Sequence, residues 1–142
     1  MMSRSRARTA AGFTLIELLI AIAILAIIMG IAIPSYNIYV LKSGRADATS
    51  TLLQTAQTLE RCFTRFSAYD DGNCAIQDGA TIESENEKYD ISVATAATTY
   101  DLTAAPKGSQ TNDSECGSFT LDETGARGVS AGTEPELIEK CW

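Results

Sequence analysis

The sequence predicts an α+β fold: one long N-terminal α-helix, its front half membrane-spanning, packed on a small antiparallel β-sheet. Three observations predict it. Residues 18–33 are apolar throughout except for Gly30. Beyond Pro34, Ala48, Leu52, Ala56, Leu59, Phe63 and Phe66 recur at steps of four and three, one apolar stripe of a helix. From Tyr89 the period changes to two, in Tyr89-Asp90-Ile91-Ser92-Val93 and again in Tyr100-Asp101-Leu102-Thr103-Ala104.

The first element is the apolar run. Residues 13–33 cover 21 positions, and at about 1.5 Å per residue a helix of that length spans roughly 30 Å, the hydrocarbon core of a bilayer. Gly30-Ile31-Ala32 loosely fits the cleavage site of a secretory signal peptide, but the run before it exceeds the roughly 7–15 residues of such a peptide. The other end fits better. Ala10-Ala11-Gly12 is small and flexible, and a cut after Gly12 removes a basic leader while keeping the helix. Glu17 is the one charge in residues 10–34, and a carboxylate in lipid is costly unless it has a partner. It lies four residues from Phe13, about 6 Å along a helix.

The helix is expected to run from about Phe13 to Phe66, with Lys42, Arg45, Glu60, Arg61 and Arg65 on its polar faces. Pro34 lacks an amide proton and should kink or locally melt it, and Gly30 and Gly44 add freedom. Residues 67–87 read as a connecting loop, with turn signals at Asp70-Asp71-Gly72-Asn73 and Asp78-Gly79. Glu83, Glu85 and Glu87 read as a solvated acidic rim, since nothing fixes the geometry of a calcium site. After the two alternating strands, Ser118-Phe119-Thr120-Leu121 is a third, and residues 126–129 are a short edge strand. Residues 106–115 and 132–140 read as polar loops.

Composition bounds the rest. The 142 residues, less the apolar run, make one small domain. Arg4, Arg6 and Arg8 precede Gly12 with no acid among them, and all 18 acids follow it; without those three the chain carries 8 bases against 18 acids, a formal charge of −10. Such a balance makes nucleic acid an unlikely partner, and Lys107, Arg127 and Lys140 are too few and scattered for a basic stripe. The four cysteines form no C-x-x-C pair and the chain has no His, so disulfides are favoured over zinc, in an oxidising compartment. Three pairings are open; proximity in the chain favours Cys62 with Cys74 and Cys116 with Cys141. Each bond would contribute about 3 kcal/mol by restricting the unfolded chain. Gly128-Val129-Ser130-Ala131-Gly132 spells Gly-x-Ser-x-Gly, but no helical pattern follows and no His is present to activate the serine, so no enzyme is expected. No cofactor or metal is expected either.

Gly12-Phe13-Thr14-Leu15-Ile16-Glu17, behind a basic leader and ahead of the apolar run to Pro34, resembles the processing motif of type IV prepilins. The resemblance implies cleavage after Gly12 by prepilin peptidase, N-methylation of Phe13, and Glu17 registering each new subunit in a filament. It also implies the type IV pilin fold, with a disulfide-bounded C-terminal loop at Cys116 to Cys141 as a contact surface. The division is then 1–12 leader, 13–34 apolar half-helix and 35–142 globular domain. The Tyr-x-Leu-Thr-Ala, Cys-Gly-x-x-Thr-Leu, Gly-x-Arg-Gly and Cys-Trp elements of the tail look like the PilE-type minor pilins of Gram-negative bacteria. This likeness implies a minor pilin that helps prime the pilus and joins it, for twitching motility and attachment. Its expected partners are other pilin subunits through the helix, the peptidase and methylase, the inner-membrane assembly machinery, and inner-membrane lipid before assembly. It would begin as a single-pass inner-membrane precursor with a periplasmic domain and end in the extracellular pilus. The alternatives are a main pilus subunit or DNA-uptake pilin and, less favoured because of the C-terminal cysteines, a type II secretion pseudopilin.

Overall fold

The computed structural model of the chain describes residues 12–142. Its first element, α1 (Leu15–Phe66), matches the expected bounds to within two residues. Thr14 opens it: its Oγ1 accepts the Glu17 amide at 3.3 Å, supplying one partner to the unpaired amides of a helix start. Ser67, at φ 59°, closes it in the left-handed region. The helix is assigned without a break through Pro34, so the expected local melting is not seen. Proline removes a single rung of the ladder, and the apolar turns on both sides keep theirs.

The chain divides into two compact units, one ending at Ile38 and the other running from Tyr39 to Trp142. In the first, the helix is exposed on every side, with mean hydropathy 2.9 over its most apolar 18 residues. The basic leader falls, except for Gly12, outside the described residues.

In the second unit five strands form an antiparallel meander in the order β1 (Thr81–Glu83), β2 (Tyr89–Thr95), β3 (Tyr100–Pro106), β4 (Phe119–Asp122) and β5 (Arg127–Val129). The period-two pattern explains the sheet: Tyr89, Ile91 and Val93 point inward from β2, and Tyr100, Leu102 and Ala104 from β3. Against them lie Ala48, Leu52, Ala56 and Leu59 of α1, all buried. At the end of the predicted stripe Phe63 is half-buried, but Phe66 is 40% exposed, because the helix ends there beyond the core. Aromatic edges pack within the core, with Tyr69 against Tyr100 at 5.0 Å and Tyr89 against Phe119 at 5.7 Å.

Three loop expectations are corrected. β1 lies inside the expected connecting loop, pairing Ile82 with Ile91. The second polar loop contains α2 (Pro135–Cys141), with Pro135 at its start, where a missing amide costs nothing. A 3₁₀ turn, Gly108–Asn112, occupies part of the first polar loop and buries Gln110 completely.

Candidate assembly site

The expected cleavage point is open. Gly12 is exposed with nothing within 4 Å of where a Cβ would stand, and Phe13 is 88% exposed. Thr14 and Glu17 form the T-x-x-E spacing of a capping box, with the carboxylate in the positive first turn of α1. That signal was present in the sequence, beside the processing motif, and gives Glu17 a local role too. From Leu15 to Tyr39 the large apolar side chains are exposed, including Ile16 at 62%, Ile31 at 70% and Tyr39 at 71%. So long an apolar surface needs lipid or neighbouring helices to cover it. Pro34 lies within this stretch.

The cysteines pair as chain proximity favoured. Cys62–Cys74 ties the end of α1 to the segment after it, with Cα atoms 5.5 Å apart. Cys116–Cys141 joins the start of the C-terminal loop to the last turn of α2, with Cα atoms 5.8 Å apart. Both bonds are buried.

A buried ion pair fixes that loop to α1. Arg45, expected on the polar face of the helix, is only 7% exposed. Its Nε and Nη2 donate to the two carboxylate oxygens of Asp113 at 2.6 and 2.8 Å, and Nη2 also donates to Glu115 Oε2 at 2.8 Å. The Asp113 hydrogen bonds raise the arginine's pKa against the opposing effect of burial. Asp113 Oδ1 further accepts the amides of Glu115 and Cys116. Lys140 of α2 pairs with Glu115 from the other side, and these bonds, Lys140 first and Arg45 second, hold that carboxyl down at about 2. Next to this clasp, Gln110 donates through Nε2 to the Leu41 carbonyl at 3.0 Å and to the Tyr89 hydroxyl at 3.2 Å, over the flat spot left by Gly44. No local sequence signal marks Arg45, Gln110 or Asp113, whose partners lie tens of residues away.

Two cations elsewhere in this unit are also engaged. Lys107 pairs with Glu83 and Asp90, and Arg127 covers the Trp142 ring at 5.0 Å. The hydroxyl of Ser130, in the Gly-x-Ser-x-Gly stretch, accepts the Ser118 amide at 2.9 Å. Among the described residues no group of three or more His, Cys, Asp or Glu side chains could hold a metal.

The apolar helix and the helix-on-sheet domain with its disulfide loop define the class, a pilin. A family described as "Type IV minor pilin ComP, DNA uptake sequence receptor" matches residues 34–120, more than half of the chain, and the chain belongs to that family. The "Prokaryotic N-terminal methylation motif" matches residues 7–33. Among proteins it is similar to, "Prepilin peptidase-dependent protein D" of Escherichia coli (strain K12) is 41% identical over 51 residues, 36% of this chain and 35% of that protein. The "Fimbrial protein" of Moraxella nonliquefaciens is 38% identical over 77 residues, 50% of this chain and 46% of that one. The chain thus spans less than half the length of these relatives. A solved type IV pilin from Shewanella oneidensis is 26% identical, with a TM-score of 0.49 over 72% of this chain and 97% of that one.

Proposed function

We propose that this minor pilin is cut after Gly12, methylated on Phe13, and inserted into a type IV pilus, where it helps prime assembly and serves twitching motility and attachment. The observation that carries the reading is the exposed apolar surface from Leu15 to Tyr39, most of it within the matched methylation motif. Peptidase and methylase prepare the end, the inner membrane holds the helix before assembly, and other pilins cover it afterwards. Glu17 then neutralises the Phe13 ammonium of a neighbour, which makes that contact the register of assembly. The test is the intact mass of the unreduced chain recovered from sheared surface filaments. An N-methylated Phe13 start and a mass lighter by the four hydrogens of two disulfides support the reading; a chain that keeps its leader and stays in the membrane removes it. Glu17→Ala should be processed normally yet be depleted from those filaments.

A second reading is capture of DNA, favoured by the description of the family as a DNA uptake sequence receptor. The charge pattern weighs against it: Lys107 and Lys140 are neutralised by carboxylates, and the domain is strongly acidic. Duplex binding by the full chain in detergent, with an affinity falling steeply with salt, would favour this second reading.

A further inference from the structure

The exposed cations of α1 that have no carboxylate partner among the described residues are Lys42, Arg61 and Arg65. They open on two separate grooves. Arg61 and Arg65 line one with Phe66 and Asn73, at the end of the helix. Lys42 lines the other, of about 310 Å³, with Arg45, Thr49, Lys140, Cys141 and Trp142. No acid lines this second groove, although all 18 acids of the chain but Glu17 lie beyond Tyr39. The charges of Arg45 and Lys140 are matched by Asp113 and Glu115, so Lys42 leaves the groove with an excess positive charge. Lys140 is exposed, and its ammonium has donors beyond the one that Glu115 takes.

Position along the chain decides what reaches the Lys42 groove. Residues 18–37, which begin directly after Glu17, supply the about 20 positions that cross a hydrocarbon core. Tyr36 and Tyr39, 67% and 71% exposed, flank the far end of that stretch, where aromatic side chains meet lipid headgroups. Lys42 lies one turn of α1 past Tyr39, about 5 Å along its axis. The headgroup layer on each side of a bilayer is roughly 5–8 Å deep, and a lysine can lay its stem along apolar surface while its ammonium stays among polar groups. Arg61 comes about 28 Å further along the helix, so the two grooves are separated by far more than the depth of that layer.

We propose that the Lys42 groove takes the headgroup of an anionic phospholipid such as phosphatidylglycerol while the chain is held in the membrane. The proposal rests on the reading that the inner membrane holds the apolar helix before assembly, and it names the lipid class that the domain meets there. Lys42 and Lys140 supply charge to the phosphodiester. The Thr49 hydroxyl donates to the Ala46 carbonyl at 3.2 Å, which leaves its lone pairs to accept from a headgroup hydroxyl. Trp142 donates through Nε1 to the Gly128 carbonyl at 3.1 Å and stays half-buried, an aromatic body at the edge of the polar layer. When other pilins cover the apolar helix, the groove leaves the bilayer and releases the lipid.

Trp142 is the one tryptophan of the chain and lines this groove, so its fluorescence reports on the site. The full-length chain is reconstituted into vesicles of phosphatidylcholine, alone or mixed with phosphatidylglycerol, each doped with a lipid that carries a nitroxide on its headgroup. Quenching of Trp142 should rise with phosphatidylglycerol. Lys42→Gln should weaken that rise roughly fivefold, Lys42→Arg should keep it, and Arg61→Glu/Arg65→Glu should leave it unchanged. A chain that floats with the vesicles but whose quenching ignores phosphatidylglycerol, or ignores Lys42→Gln, overturns the site and leaves the membrane reading intact. A chain that floats with neither vesicle overturns the membrane reading, and the site with it. A rise that Arg61→Glu/Arg65→Glu weakens as much as Lys42→Gln does is attraction by overall charge, and overturns the site. Emission that duplex DNA alters in the natural chain but not in Lys42→Gln, with no response to phosphatidylglycerol, assigns the groove to nucleic acid and also overturns it.

Discussion

Two residues set the fit between α1 and the loop before β4. A Cβ on Gly44 would collide with the Gln110 side chain, which is fully buried and bonded to Leu41 and Tyr89, so it cannot swing away. Gly44→Ala should therefore cost about 1–3 kcal/mol, despite the better helix propensity of alanine. A lowered urea midpoint of the detergent-solubilised chain is the check; an unchanged or raised midpoint would mean that Gln110 yields. Arg45 has the larger consequence. Arg45→Met would leave Asp113, 4% exposed, as an uncompensated carboxylate, a loss of about 3–5 kcal/mol. Adding Asp113→Leu should recover only part of that loss, since the amides of Glu115 and Cys116 then lose their acceptor. Full recovery in the double variant would show that those two amides are served by water.

Elements with a periodic pattern of their own were legible in advance. The long run of α1 and the alternation of β2 and β3 are written in consecutive residues, so local reading suffices. β1 offers one apolar residue, Ile82, and exists because β2 pairs with it; nothing in three residues announces a partner. For α2, Pro135 at the start, Glu136 in the first turn and Lys140 in the last were visible. Its apolar residues are too few for a helical period, so loop composition prevailed. The processing motif and cysteine spacing were readable because they are local, whereas the Arg45 clasp joins residues 68 positions apart. The clasp also predicts a response to acid that belongs to α2. Glu115 is held at about 2 by Lys140 and Arg45, below an ordinary carboxyl. A depressed folded pKa gives stability that is present above the unfolded value, near 4.5, and is lost as pH falls toward 2. Melting should therefore weaken across that window, and Lys140→Ala should flatten the decline; an equally steep curve in the variant would remove Lys140 from the account.

At the scale of the whole molecule, the two units answer to different solvents. The first exposes its large apolar side chains and finds its cover in lipid or other helices; the second has its own core of Leu52, Leu59, Tyr89, Ile91, Leu102 and Phe119, all fully buried. Its framework is also closed within itself. The meander is complete, both disulfides join residues beyond Tyr39, and so does the Arg45 clasp. The chain from Tyr39 onward should accordingly fold without the apolar half of α1. Among the described residues, none from 12 to 38 is buried, so the chain without residues 1–38 should be soluble without detergent and form both disulfides. It should also unfold cooperatively at the same urea concentration as the full chain, because the denaturant acts on the same core in both. The measurement is the pair of urea curves followed by circular dichroism at oxidising potential. Matching midpoints make the second unit an independent domain. A truncated chain that melts early, or without cooperativity, would mean that the first half of α1 supports the fold as well as the filament.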